Sequence, residues 1–145
     1  MLTVRKSALV PYSVEEMYTL VADVDAYPEF LPGCNAVQVH ERSPRAVKAS
    51  IQLAKGPVRK WFTTVNHLTP NERMDLSLVE GPFRHLEGHW RFEPLGNAGS
   101  KVAVDMEFEF ASRLLERTVG PAFRDMSNRL VDAFVQRATE IYGRK

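Results

Sequence analysis

The chain has little that would staple a small scaffold together: one cysteine, Cys34, stands among 145 residues. That excludes an internal disulfide framework and a cysteine-rich zinc site, and it makes a reducing compartment the expected one. Charge of one sign is also missing. Lys plus Arg number 19 against 18 Asp plus Glu, a formal net charge of +1. Binding to nucleic acid by bulk charge is therefore excluded, no DNA partner is expected, and any RNA contact has to come from a local patch. No apolar run approaches the roughly 18 residues of a membrane span. The N-terminal segment lacks the order of charged, apolar and small residues that marks a signal peptide, so a cytoplasmic location is the expectation. Gly81-Pro82 reads as a turn and belongs to neither a phosphate loop nor a dinucleotide fingerprint.

What is present, 44% hydrophobic and 26% charged residues, is the profile of one globular domain over residues 1–145. A chain of this size removes roughly 68–70% of its unfolded surface from water, enough for a core with room for a cavity. Residues 3–10 suit a strand that Pro11-Tyr12 ends. Ser13 with Glu16 forms a capping-box pattern ahead of Met17, Tyr18, Leu20 and Val21, which predicts a helix. A second short helix is expected over 26–31, capped by Asp25, with Pro28 in its first turn and Pro32-Gly33 as its stop.

From residue 34 to 110 the hydrophobic period becomes two. Val47, Ala49, Ile51 and Leu53 alternate with polar residues, as do Met74, Leu76 and Leu78, and Leu86, Gly88, Trp90 and Phe92. Val102, Val104, Met106, Phe108 and Phe110 face away from Lys101, Asp105, Glu107 and Glu109, the pattern of a half-solvated antiparallel strand. The joints at Ser43-Pro44, Lys55-Gly56-Pro57, Thr69-Pro70-Asn71, Glu80-Gly81-Pro82 and residues 96–99 are short enough for hairpins. The last element is one long helix from near Ser112 to before Gly143, with Leu115, Val119, Ala122, Met126, Leu130, Ala133 and Ile141 in a single apolar stripe. Gly120-Pro121 falls inside it and is expected to kink it.

These elements define an α+β fold: a seven-stranded curved antiparallel sheet, two short helices after the first strand, and a long C-terminal helix over a hydrophobic cavity. Twisted sheets of this width curl. One helix, about 10–12 Å across, is too narrow to fill the concave side. The remaining space becomes a pocket or is packed solid by large side chains, and the pattern alone leaves both open.

The runs Val21-Ala-Asp-Val-Asp-Ala-Tyr-Pro-Glu-Phe-Leu-Pro32, Phe62-Thr-Thr64, Glu80-Gly-Pro-Phe83, Leu86-x-Gly-x-Trp-x-Phe92, Phe108-Glu-Phe110, Gly120-Pro-x-Phe123 and Ala133-Phe-x-x-Arg-Ala138 span almost the whole chain. In these runs the chain resembles the coenzyme Q-binding and ribosome association toxin (RatA-like) family, part of the START-like, polyketide-cyclase-like helix-grip superfamily. The resemblance implies a sheet gripping the long helix around a hydrophobic tunnel. It implies one of two roles: binding a polyisoprenoid quinone in support of respiration, or binding the large ribosomal subunit and blocking subunit joining. Gly33 departs from the family pattern, where a large aromatic is expected before the cysteine.

A ubiquinone-like ligand has a long apolar tail and a compact ring with carbonyl acceptors, so its site needs mostly hydrocarbon. Each buried tail methylene contributes about 0.8 kcal/mol. The expected lining is Phe30, Leu31, Phe62, Leu76, Leu86, Trp90, Met106, Met126, Leu130 and Phe134, each of which ordinary core packing also explains. Met17, Met74, Met106 and Met126 add deformable surface. Phe62 faces inward only if the strand register excludes its neighbour Trp61. The protein is expected to act as a lipid chaperone for a polyisoprenoid quinone or another long apolar molecule, to make transient contact with a membrane surface, and to require no cofactor.

The alternative, a ribosome-directed protein, rests on Arg113, Arg117 and Arg124, which fall at nearly one angle of the last helix and span about 16 Å. Such a ridge suits phosphates but reads as well as a solvated helix face. A cyclase- or dehydratase-like enzyme is a third class. No catalytic pair is found for it: Asp23, Asp25 and Glu29 suit capping and solubility, and Cys34 has no base nearby in sequence. No metal site is expected, because His85 and His89 on one strand would stand about 13 Å apart. Arg137 is expected to form a semi-buried pair with Glu140.

Overall fold

The seven strands form one antiparallel sheet in the order β1-β7-β6-β5-β4-β3-β2, so the first strand closes against the last and the chain otherwise runs as a meander. The computed structural model describes residues 1–97 and 99–144. The strands are β1 Leu2–Val10, β2 Cys34–Arg42, β3 Ala46–Lys55, β4 Val58–Thr69, β5 Arg73–Glu80, β6 Phe83–Leu95 and β7 Gly99–Phe110. The expected hairpin joints lie between them, the last including Ala98, which is outside the described residues. Period-two patterning sets the faces as expected: Val102, Val104, Met106, Phe108 and Phe110 of β7 are all buried, and the register places Phe62 inside while Trp61 is 43% exposed.

Helix α1 (Val14–Ala22) carries the capping box. The Glu16 N–H donates to Ser13 Oγ at 3.1 Å and the Ser13 N–H donates to Glu16 Oε1 at 2.9 Å, satisfying two N-terminal donors. The expected second helix is split into a 3-10 turn, Val24–Ala26, and the four-residue α2, Tyr27–Phe30, with Pro28 in its first turn. Asp25 does not cap it; its carboxylate pairs with Arg42 on β2, which ties this segment to the sheet edge.

The C-terminal helix is likewise two helices: α3 (Arg113–Thr118) and α4 (Gly120–Tyr142), separated at Val119. Pro121 lacks an N–H and its ring displaces the carbonyl one turn earlier, so it starts a helix where a kink was expected. Ser112 Oγ accepts the Leu115 N–H and caps α3. The buried face of α4 runs through Ala122, Phe123, Met126, Ser127, Leu130, Val131, Phe134 and Ala138, and Ile141, expected in the stripe, lies in the last turn and is 52% exposed. Helix α4 lies across β1, β7 and β3 and against α1. The Tyr142 hydroxyl donates to the Glu16 carbonyl at 2.9 Å, fastening its far end.

Candidate functional site

At the centre of the sheet's inner face one position has no side chain. Gly88 on β6 is paired with Leu76 on β5 and Met106 on β7, so the three stand side by side across the sheet. Leu76 and Met106 lean into the gap until a Cβ on Gly88 would meet Leu76 Cδ1 at 2.3 Å and Met106 Sδ at 2.5 Å. Over this dent lies a cavity bounded by Leu31, Ile51, Met74, Leu86, Met126 and Leu130, with Phe62 and Phe123 at one end and Tyr27 and Trp90 at the other. Thr64 brings the one hydroxyl in the lining besides that of Tyr27.

All the expected lining residues except Phe30 and Phe134 surround this space. Those two are aromatic neighbours, 5.0 Å between ring centroids, and stand behind the lining. Phe134 is fully buried and touches Tyr27 and Trp90 at 5.3 Å each. Tyr27, Ile51, Thr64 and Phe123 join the lining unpredicted; of the four methionines expected as deformable lining, Met74, Met106 and Met126 line the space and Met17 is buried in the core away from it. Alternation with Phe62 could have identified Thr64, and Met74 carries the same signal as Leu76. Phe123 stands beside Ala122 on the buried face of α4, and the one signal for it is the Gly120-Pro-x-Phe123 run.

The resting cavity holds about 50 Å³, room for about one or two water molecules. Ligand pockets for molecules of drug size are about 300–1,000 Å³. The hydrophobic tunnel that the resemblance implies is thus a narrow space here, with Leu76 and Met106 leaning into it and Phe62, Phe123, Tyr27 and Trp90 around it. Outside, Glu29, Phe30 and Pro32 face Arg129, Asp132, Ala133, Gln136 and Arg137 across a groove of about 440 Å³. Helix α2 lies between the groove and the cavity, with Phe30 lining one and Tyr27 the other, and α4 likewise gives Arg129 and Ala133 to the groove and Leu130 to the cavity. Arg137 holds this partition from outside, with its guanidinium 5.0 Å from the Phe30 ring centroid and 3.4 Å from Glu29, so its partner is Glu29 and the expected Glu140 pair is absent. Burial pushes the Tyr27 phenol far up, beside Cys34 and Asp23, and its proton goes to the Val21 carbonyl.

The other candidates are dispersed. Arg113 and Arg117 are exposed on α3, whereas Arg124 is half-buried on α4 beside Gly120, so the single-helix ridge becomes two surfaces. Cys34 is buried, and burial pushes its thiol up to about 11, away from nucleophile chemistry at neutral pH. His85 and His89 take different partners: His89 Nδ1 lies 2.7 Å from Asp75, and His85 Nε2 lies 3.9 Å from Glu107. Burial raises the Asp75 carboxyl, but hydrogen bonds from His89 and Arg73, with their charges, outweigh it and hold the group below the usual range. His85, Glu87 and Glu107 do bring ligand-type atoms within 4.8 Å of one another, a grouping made across two strands that spacing along one strand does not reveal. Asp25 and Glu29 are engaged by Arg42 and Arg137, which divides the acidic cluster into ion pairs. No helix among the described residues is long and apolar enough to cross a membrane.

A curled sheet holding one long helix over an apolar centre defines the START-like class, and the chain belongs to it. Residues 10–135 match the family model for polyketide cyclase / dehydrase and lipid transport. Within that family the chain is of the RatA-like, coenzyme Q-binding-like group. It is 46% identical to the ribosome association toxin RatA of Vibrio cholerae over 97% of both chains. It is 31% identical to the mitochondrial coenzyme Q-binding protein COQ10 homolog B of Xenopus laevis, covering 97% of this chain and 59% of that one. A START superfamily protein from Mycobacterium smegmatis superimposes with a TM-score of 0.77 at 20% identity, over 96% of this chain and 98% of the other, which shows the shared fold.

Proposed function

We propose that the protein is a carrier that takes a long apolar ligand of the polyisoprenoid quinone class into the space between the sheet and α4. The observation that carries this reading is the lining: hydrocarbon, thioether and aromatic surface around a glycine dent, next to an outer groove behind a four-residue helix. Entry requires expansion. Met74, Met106 and Met126 are unbranched and repack at low cost, and displacement of α2 with Phe30 joins groove to cavity. A filled methylene-rich tail then gains about 0.8 kcal/mol per CH₂ removed from water. The COQ10 homolog's name supports the ligand class. The test is mass spectrometry of organic extracts from gently purified protein, with titration of a short-chain ubiquinone followed by Trp90 fluorescence in a Trp61→Phe background. A co-purifying isoprenoid quinone and saturable quenching are expected; an empty extract together with no saturable binding refutes the carrier.

A second reading, association with the large ribosomal subunit, is favoured by the 46% identity to a protein named for ribosome association and by the exposed Arg113 and Arg117 on α3. Here the outside of the molecule acts and the cavity is only core. Sucrose-gradient profiles with wild-type protein and an Arg113→Glu, Arg117→Glu, Arg124→Glu variant test it: subunit joining inhibited by the first and restored with the second supports it, and joining unaffected by wild-type protein removes it.

A further inference from the structure

The inner face of the sheet carries few polar side chains: Ser100 at the start of β7, which donates to the Tyr12 carbonyl, and two on β4. There Thr64 and Asn66, two residues apart and on the same side as Phe62, are 4% and 3% exposed. Ala49 and Leu78 flank Thr64 across the neighbouring strands, and Val47 and Leu76 flank Asn66. Burying a hydroxyl and an amide among hydrocarbon is costly unless their bonds are made, so a valine–leucine pair would serve the core better. The Thr64 hydroxyl donates to Asn66 Oδ1 at 2.8 Å. That bond uses the one proton Thr64 has and leaves the acceptor capacity of its oxygen, in a residue that lines the cavity. Of the other polar lining groups, the Trp90 indole is a donor only, and the Tyr27 hydroxyl, which also keeps acceptor capacity, is drawn to the Val21 carbonyl of α1.

Resting on the apolar-ligand reading above, we infer that Thr64, oriented by Asn66, accepts a hydrogen bond from one hydroxyl of an otherwise apolar ligand. The ligand class is narrowed to long apolar molecules with a hydroxyl donor, the chemistry shared by an isoprenoid alcohol and the hydroquinone form of a quinone. A hydrocarbon or an ether leaves the Thr64 oxygen without a donor once water is expelled, and this loss sets the discrimination.

The experiment titrates the Trp61→Phe protein, read by Trp90 fluorescence, with farnesol, farnesyl methyl ether, and the hydroquinone and quinone forms of a decyl-chain ubiquinone. Farnesol is expected to bind about fivefold to tenfold more tightly than its methyl ether, the range of one buried hydrogen bond. Thr64→Val, nearly isosteric, is expected to abolish the preference while still binding both, and Thr64→Ser to restore it; circular dichroism checks that each is folded. Among the donors, tighter binding of the hydroquinone than of farnesol assigns the source to a quinol, and the reverse to an isoprenoid alcohol. Equal binding of alcohol and ether by the unsubstituted protein, or a preference that survives Thr64→Val, overturns the assignment and leaves the carrier reading standing. Failure of every probe to bind refutes the carrier reading, and the Thr64 assignment falls with it.

Discussion

Phe123, near the start of α4, is ringed by Phe62, Phe83, Phe108 and Phe110 with centroids 4.8 to 6.2 Å away. One turn further along the same helix, Met126 and Leu130 face Met74, Leu76 and Met106, and the space is incompletely filled. Both regions are equally dry. Flat rings locked edge-to-face have two torsions each and few alternative packings, whereas unbranched thioethers over a glycine dent have many. The aromatic end therefore fixes the angle of α4 on the sheet, and the methionine end is where the volume can change. Dryness by itself does not distinguish a core from a binding site; the stiffness of the side chains does.

Substitutions at the two ends should separate these roles. Phe123→Ala is expected to cost the most, about 3–5 kcal/mol, because four rings lose their common partner and cannot collapse onto the void. Urea unfolding measures it, and a loss below that of Met126→Ala would break the comparison. Met126→Ala is expected to cost about 2 kcal/mol, the low end for its type, since its neighbours are deformable. The same variant should keep or improve binding of a short-chain ubiquinone. Gly88→Ala pushes Leu76 and Met106 apart from their flexible ends, for about 1–2 kcal/mol. It narrows the space they share, so weaker quinone binding is expected with the fold intact by circular dichroism.

A smaller effect reports on the floor beneath α2. The Cys34 thiol is raised from 9.0 to about 11 by burial, so the neutral form is favoured in the folded state. Its contribution is fully present below the unfolded value and is lost as the pH rises from 9 through about 11. The urea midpoint should fall over that window less steeply in Cys34→Ala than in the unsubstituted protein. The smallest change is expected outside: Arg113→Glu with Arg117→Glu, both exposed on α3, should alter stability by no more than about 0.5 kcal/mol while moving any ribosome association.

Much of this organisation is legible along the chain. Period-two patterning gives the strands from residue 34 to 110 and the inward set Leu76, Leu86, Trp90 and Met106, since a pleated strand directs alternate residues to one face whatever it pairs with. The Ser13–Glu16 box is legible because both of its bonds are local. What escapes prediction depends on a break or on a partner remote in sequence. Pro121 starts a new helix, Ile141 shares the helical angle of Phe123 but lies in the last turn of α4 and is exposed, Arg137 finds Glu29, 108 residues away, and Phe30 stands on the groove side of a helix only four residues long. Asn66, on the inner face of β4, gains meaning only beside Thr64, with cross-strand neighbours that are all apolar.

The order of residues alone determined a sheet with one dry face, the helices that cover it and the identity of most side chains around its centre, because strand alternation and helix capping act over a few residues. The tertiary structure alone decided how much space is left, which aromatic rings border it and which polar residues lie beside it. Those depend on how side chains from separate strands lean on one another, as Leu76 and Met106 do across Gly88, and no spacing along a single strand contains that distance.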